Sequence, residues 1–262
     1  MVDYVDTLLD YSSSIIRVIA TSILVVILLI IVKKQRLGIE RELSTSSLRG
    51  FIQLMLMASV ILIIFELDSI VITIIALMGM ILIATHFSGK RSAGLPDNVN
   101  ISFWSIFAGS SIIIVSMTLI GALPFEAQYL IPLGGMVIGN SMNVTSLAMD
   151  RLKGEIRSNS SRIEAYLALG STSEKAIRDC VHQSVRSSLI PNIDGINTLG
   201  IIWIPGLMSG MLISGVDPYV AAAFQITISI MILGASMISS LVSTHLVSKK
   251  MFTEACQLIY ID

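Results

Sequence analysis

Charge is what this sequence has least of. Only 13% of its 262 residues are Asp, Glu, Lys or Arg, and 54% are hydrophobic; soluble domains carry about 25% charged residues. So little charge cannot cover a water-facing surface, which excludes a soluble enzyme, and so much apolar content excludes a disordered chain. Cysteine is almost missing: Cys180 and Cys256 are too few for a disulfide framework. The three histidines, His86, His182 and His245, lie at the ends of apolar runs or between them, so no His or Cys metal cage is built into an apolar segment. The net charge is −1 and no basic tract is longer than Lys33-Lys34-Gln35-Arg36, which gives nucleic acid no footing. Nor does a Gly-x-x-x-x-Gly-Lys-[Ser/Thr] loop occur; Gly89-Lys90-Arg91 lacks both the upstream glycine and the hydroxyl.

Long apolar runs are what the chain does have. A bilayer core of ~30 Å takes about 20 helical residues to cross. Seven stretches meet that need: Ile15–Val32, Leu48–Phe65, Ser69–Thr85, Ile101–Leu123, Leu130–Leu147, Thr198–Ile213 and Tyr219–Val247. They are continuous and do not alternate with period two, so they read as helices, not barrel strands. The expected fold is all-α: a multi-pass helical bundle of about seven spans, one transmembrane domain over residues 1–262, in the plasma or inner membrane. With the N-terminus outside and the C-terminus cytosolic, every Lys and Arg except Arg17 falls on the cytosolic side. Three Asp before the first run, with no small-residue cleavage site after it, argue for a retained span over a signal peptide. Both cysteines then face the reducing cytosol as free thiols.

Residues 150–191 form the one long hydrophilic segment. Arg162 to Leu169 is rich in helix formers and ends at Gly170, a natural helix terminator. Ser171-Thr172-Ser173-Glu174 has capping-box spacing and predicts a second helix, continued by Ala176, Ile177, Val181 and Val185 and limited by Pro191. On spacing alone this is equally an ordinary amphipathic surface hairpin.

Glu164-Ala165, with Gly170 at the seventh position, resembles the EAA signature of ABC-transporter permease subunits, with Tyr166 in place of the second Ala. The wider chain resembles the FetB-like iron-export permease family and its plant aluminium-tolerance homologues. The likeness is carried by Arg49 to Leu54, Ile131 to Met142, Glu164 to Thr172, Leu189 to Asp194, Pro205 to Gly210, Gly215 to Pro218 and Gln225. It implies a membrane subunit, paired with a second copy and energised by a separate ATP-binding subunit that holds the ATP and Mg. This chain itself would hold no cofactor. The 150–191 segment would be the coupling loop, with Glu164, Ala165, Leu169 and Gly170 docking on the ATPase. Export of a metal ion such as iron is the implied activity; a small polar solute, a nucleotide sugar or a lipid are the other cargoes.

The translocation route is expected along the fifth and sixth spans. Each has a proline (Pro132, Pro205) and a Gly-x-x-x-Gly (Gly135/Gly139, Gly206/Gly210) that permits close helix contact. Met136, Asn140, Met142 and Met208 lie on these spans, Asp194 beside the sixth and Gln225 in the seventh. The methionines also read as gap fillers, and thioethers suit soft cations better than Fe(II), so the metal ligands stay open. Asp194 is either a pathway acid or a helix N-cap, and Gln225 either lines the route or glues helices together. An intramembrane serine protease using Ser141 and His245 is the reading from another class; it needs both at one depth.

Overall fold

The computed structural model describes residues 22–35, 38–67, 69–253 and 257–259. Among them regular structure is helical, with two isolated bridges, Leu199 to Trp203 and Phe252 to Leu258. Residues 22–34 form α1; α2 is Glu40–Leu67, α3 Ile70–Arg91, α4 Asn98–Leu119 and α5 Ala127–Ser158. They are followed by α6 (Ser160–Ala168), α7 (Ser173–Asn197), α8 (Gly206–Ile213) and α9 (Pro218–Lys250). Four helices among the described residues are long and apolar enough to cross a membrane: α2, α3, α4 and α9. The start of the expected span Ile15–Val32, and Cys256, lie outside the described residues.

The chain divides into two compact units, Met1–Leu67 and Asp68–Asp262. In the first, α2 buries only Ile64, and Glu40 and Glu42 in its first turn complement the helix dipole.

In the second, α5 packs against α3, α4, α7 and α9. Leu130, Leu133 and Val137 of α5 meet Ile228, Met231 and Ala235 of α9 in one cluster. Ile138 joins Ile81, Ala84 and Ile106, with Phe103 and Phe107 stacked beside them. Farther along, Met149, Leu152 and Ile156 gather Ile163, Ile177, Cys180 and Val247 into a third cluster, which ties α6 and α7 to the bundle. The α3–α4 turn is pinned twice. Asn98 Nδ2 donates to the carbonyls of Gly89 and Ser92 at 2.9 and 3.2 Å, and Asp97 pairs with Lys250 at the end of α9.

Three expected boundaries are corrected. The fifth run does not stop at Leu147: α5 continues to Ser158, because Leu152 and Ile156 keep the helical apolar period through the charged residues. Pro191 does not limit α7, which runs to Asn197. A proline removes one backbone donor, a loss that helices packed among neighbours tolerate. And Thr198–Ile213 is not one continuous span. The chain breaks at Thr198, whose hydroxyl bonds back to the Asp194 carbonyl at 2.8 Å, passes Gly200 at φ +75°, and resumes as the eight-residue α8.

Candidate functional site

The α6–α7 hairpin is built by its terminators. Gly170 N–H donates to the Leu167 carbonyl at 3.0 Å and Ser171 N–H to Tyr166 at 3.0 Å, the two bonds of a Schellman motif, with Gly170 at φ +83°. Thr172, one residue beyond the expected Ser171, is the N-cap of α7 and accepts from Lys175 N–H at 3.4 Å. Arg162 and Asp179 form an exposed ion pair at 3.6 Å across the two helices. Ile163 is the one fully buried residue of α6; Glu164, Ala165, Tyr166 and Ala168 are exposed, and Leu169 is 84% exposed. The hairpin is therefore anchored on one side and presents a small apolar tip on the other. Beneath it, Cys180 Sγ contacts the Glu155 carbonyl at 3.8 Å. Burial pushes this thiol above the ordinary cysteine range, and the Arg162 guanidinium pulls it back in part. Beside the hairpin, the polar cleft between the α3–α4 turn and the end of α5 carries Arg91, Arg151 and Arg157, all exposed.

The pathway candidates do not form one cluster. Met136 is exposed on α5, and Asn140 one turn on donates to its carbonyl at 2.9 Å. Met142 packs into the cluster of Ile81, Ala84 and Ile138, where it fills core space. Met208 is half-buried on α8. Asp194 is exposed in the last turn of α7 and caps no helix start: it is the Asp194 carbonyl that takes part, accepting from Thr198. Gln225 is buried; its Nε2 donates to Ser229 Oγ at 3.3 Å and its Oε1 has no partner. Among the described residues no three of His, Cys, Asp and Glu gather as a metal site. Of the glycines in the two Gly-x-x-x-Gly pairs, a Cβ on Gly139, Gly206 or Gly210 would meet nothing within 4 Å, and one on Gly135 would meet only Met80, at 3.7 Å. Within one chain they bring no helices together.

Hydroxyls do. Ser102 of α4 and Ser146 of α5 both donate to Ser88 Oγ of α3 at 3.0 Å, and Asn192 of α7 donates to Ser236 Oγ of α9 at 2.7 Å. Such bonds hold helices where the surroundings offer no water. The signal was present as Ser236, Ser239, Ser240, Ser243 and Thr244, an i, i+3, i+4, i+7, i+8 stripe of α9 that is fully buried. For the protease reading, Ser141 Oγ is buried and has no hydrogen-bond partner, whereas His245 lines an open cleft of about 440 Å³ between α7 and α9. The Ser–His bond is not formed.

These features define a multi-pass α-helical membrane protein with a helical hairpin presented at one end of its bundle. The uncharacterised family UPF0014 matches residues 15–252, and the chain belongs to it. It is 33% identical to Protein ALUMINUM SENSITIVE 3 of Arabidopsis thaliana over 98% of this chain and 93% of that one. It is 35% identical to UPF0014 membrane protein STAR2 of Oryza sativa subsp. japonica over 86% of this chain and 79% of that one. The probable iron export permease protein FetB of Escherichia coli is 30% identical, over 86% and 87%. No solved structure matches.

Proposed function

We propose that this chain is the membrane subunit of an ATP-driven ABC transporter, working as a pair of copies, with α6 as the helix that docks on a separate ATP-binding subunit. The observation that carries this reading is the hairpin. The Schellman turn at Gly170 ends α6 sharply, Ile163 fixes it to the bundle, and Leu169 stands out as an apolar knob of the kind that fills a groove. Closure of the ATPase pair would move α6 as a lever, and the clusters around Ile163 and Ile177 would carry that movement into α5, α7 and α9.

The placement of charge supports a cytosolic hairpin. Lys250 at the basic end of α9 pairs with Asp97 at the start of α4, and Arg91 at the basic end of α3 shares a cleft with the arginines of the α5 end, as expected of a cytosolic face with the N-terminus outside. Metal-ion export, with iron as the first cargo to try, follows from likeness to the bacterial permease; Met136, Asn140, Asp194, Met208 and Gln225 remain the route candidates. The test is co-purification with an ABC-type ATP-binding subunit from the same organism, then ATPase stimulation in liposomes by Fe(II), other metal ions and nucleotide sugars. Stimulation by Fe(II) alone assigns the cargo; stimulation by a sugar nucleotide moves it to another solute; no stable complex sinks the reading.

A further inference from the structure

The cleft between the α3–α4 turn and the end of α5 lies where the chain leaves hydrocarbon. α3 carries no Asp, Glu, Lys or Arg from Ile70 to Gly89, and α5 carries none from Ala127 to Met149. Charge returns on both helices at one place: Arg91 ends α3, Asp150 and Arg151 follow Met149, and all three line the cleft. Arg91 reaches across to α5, donating to Asn143 Oδ1 at 3.2 Å. Trp104 of α4 is exposed and stands six residues past Asn98, about 9 Å along the axis. Indole rings collect at that level, just beneath a membrane surface.

The charge in this cleft is unbalanced. Its volume is about 500 Å³, and Arg91, Arg151, Lys153 and Arg157 line it against Asp150 and Glu155. Glu155 is partly spent, since Asn159 Nδ2 donates to its carbonyl at 2.8 Å and to its carboxylate at 3.4 Å. Asp97, the acid of the adjoining turn, is taken by Lys250. Arg151 and Arg157 are exposed and, among the described residues, neither has an ion-pair partner. They stand three residues before and after Gly154, one to each side of it on the helix surface. Gly154 lines the same cleft, and a Cβ on it would meet nothing within 4 Å. The floor between the two arginines is therefore bare backbone. Guanidinium forks match phosphate oxygens two at a time, and the open floor leaves room for a group bulkier than an ion.

We infer that this cleft is a headgroup site for an anionic phospholipid of the cytosolic leaflet. Arg151 and Arg157 hold its phosphate across Gly154, Arg91 and Lys153 form the rim, and the acyl chains enter the hydrocarbon that the uncharged lengths of α3 and α5 cross. A soluble anion supplies the same phosphate, but the cleft lies at the membrane boundary, where an anionic leaflet concentrates such headgroups. The choice of leaflet rests on the cytosolic placement proposed above.

The test uses the full chain in neutral detergent, titrated with dioleoyl phosphatidylglycerol or dioleoyl phosphatidylcholine and read by native mass spectrometry. Phosphatidylglycerol should be retained as one tight copy per chain, and phosphatidylcholine should not. Arg151→Gln or Arg157→Gln should each weaken it about fivefold. Arg178→Gln, exposed on α7 and lining a different cleft, should leave it unchanged. Gly154→Leu alters no charge but fills the floor, and should weaken the lipid at least as much as either arginine change. Unchanged affinity in Gly154→Leu, or an equal loss in Arg178→Gln, overturns the inference in favour of a diffuse basic surface. Equal competition by inorganic phosphate overturns the lipid in favour of a soluble anion. Loss of the ATP-binding subunit from the arginine variants, with phosphatidylglycerol binding intact, overturns it in favour of that subunit. Ser158→Cys, at the cleft edge of a Cys180→Ser, Cys256→Ser chain, reports the side separately. Labelling from outside intact cells would overturn the leaflet and the cytosolic reading together, whatever the titration shows.

Discussion

Gly109 of α4 faces Ser239 of α9 so closely that any side chain on Gly109 would occupy the place of the Ser239 hydroxyl. A Cβ there would also come within 2.6 Å of the Ala235 carbonyl oxygen. This is where two membrane helices touch backbone to backbone.

Gly109→Ala should therefore push α4 from α9. Overpacking of this kind costs about 1–3 kcal/mol, more than the helix propensity Ala gains over Gly, about 1 kcal/mol. Thermal unfolding in detergent should show a lower midpoint. Gly139→Ala, with nothing within 4 Å, should show an unchanged or higher one. Equal midpoints for the two variants would contradict the packing.

The contrast between these glycines shows what a sequence discloses. Gly135, Gly139, Gly206 and Gly210 carry the familiar spacing, yet the close contact is made by Gly109, which has no partner glycine four residues away. Its reason is the residue opposite, Ser239, and a facing residue on another helix has no mark in local sequence. The hairpin was legible because its determinants are local: Gly170 as terminator and the capping-box run Ser171 to Glu174 adjoin each other, although the cap itself is Thr172. The sixth run was misread for the same reason in reverse. Thr198 to Ile213 is apolar enough to be one helix, but the Thr198 bond to Asp194 and the positive φ of Gly200 stop α7 first. The bonds among Ser88, Ser102 and Ser146 stayed invisible because each depends on a facing residue of another helix.

Ser88 is the shared acceptor of Ser102 and Ser146 and is fully buried. Ser88→Ala removes it and leaves the two hydroxyls without their inter-helix bond. Membrane hydrogen bonds average about 0.6 kcal/mol, with a maximum near 1.7, so a loss of about 1 kcal/mol is expected. Ser88→Thr keeps the acceptor but adds a methyl in a filled site. Detergent melting should rank wild type first and both variants below it; a Ser88→Ala midpoint equal to wild type would remove the network from the list of stabilising contacts.

Cys180 should label slowly. Its thiol lies above the ordinary range because it is buried, and the thiolate is the reactive form. Maleimide reaction at neutral pH should be slow in the native protein and should accelerate as pH rises through the alkaline range. Arg162→Leu removes the cation that favours the thiolate, so the rise should move to still higher pH. A shift toward lower pH would show that the Arg162 guanidinium does not act on this sulfur.

The α6 tip carries the last test, which turns on separating fold from coupling. Leu169 is almost wholly exposed, and surface substitutions of such residues change stability by about 0.5 kcal/mol or less, so Leu169→Ser should insert and melt like wild type. If the tip fills a groove in the ATP-binding subunit, the same change should release that subunit in co-purification. Gly170→Val acts differently: a β-branched residue at φ +83° is strained, so the Schellman turn should open and α6 should lose its direction. That variant should retain its spans but hydrolyse ATP without transport, or lose the partner altogether. Glu164→Ala removes an exposed charge at the middle of α6, past the first turn in which the helix dipole acts, and should be the mildest of the three. The order Gly170→Val, Leu169→Ser, Glu164→Ala in falling severity is the signature of a docked helix. Full partner retention and full transport in both Gly170→Val and Leu169→Ser would mean that α6 is a surface hairpin and that the ATPase binds elsewhere.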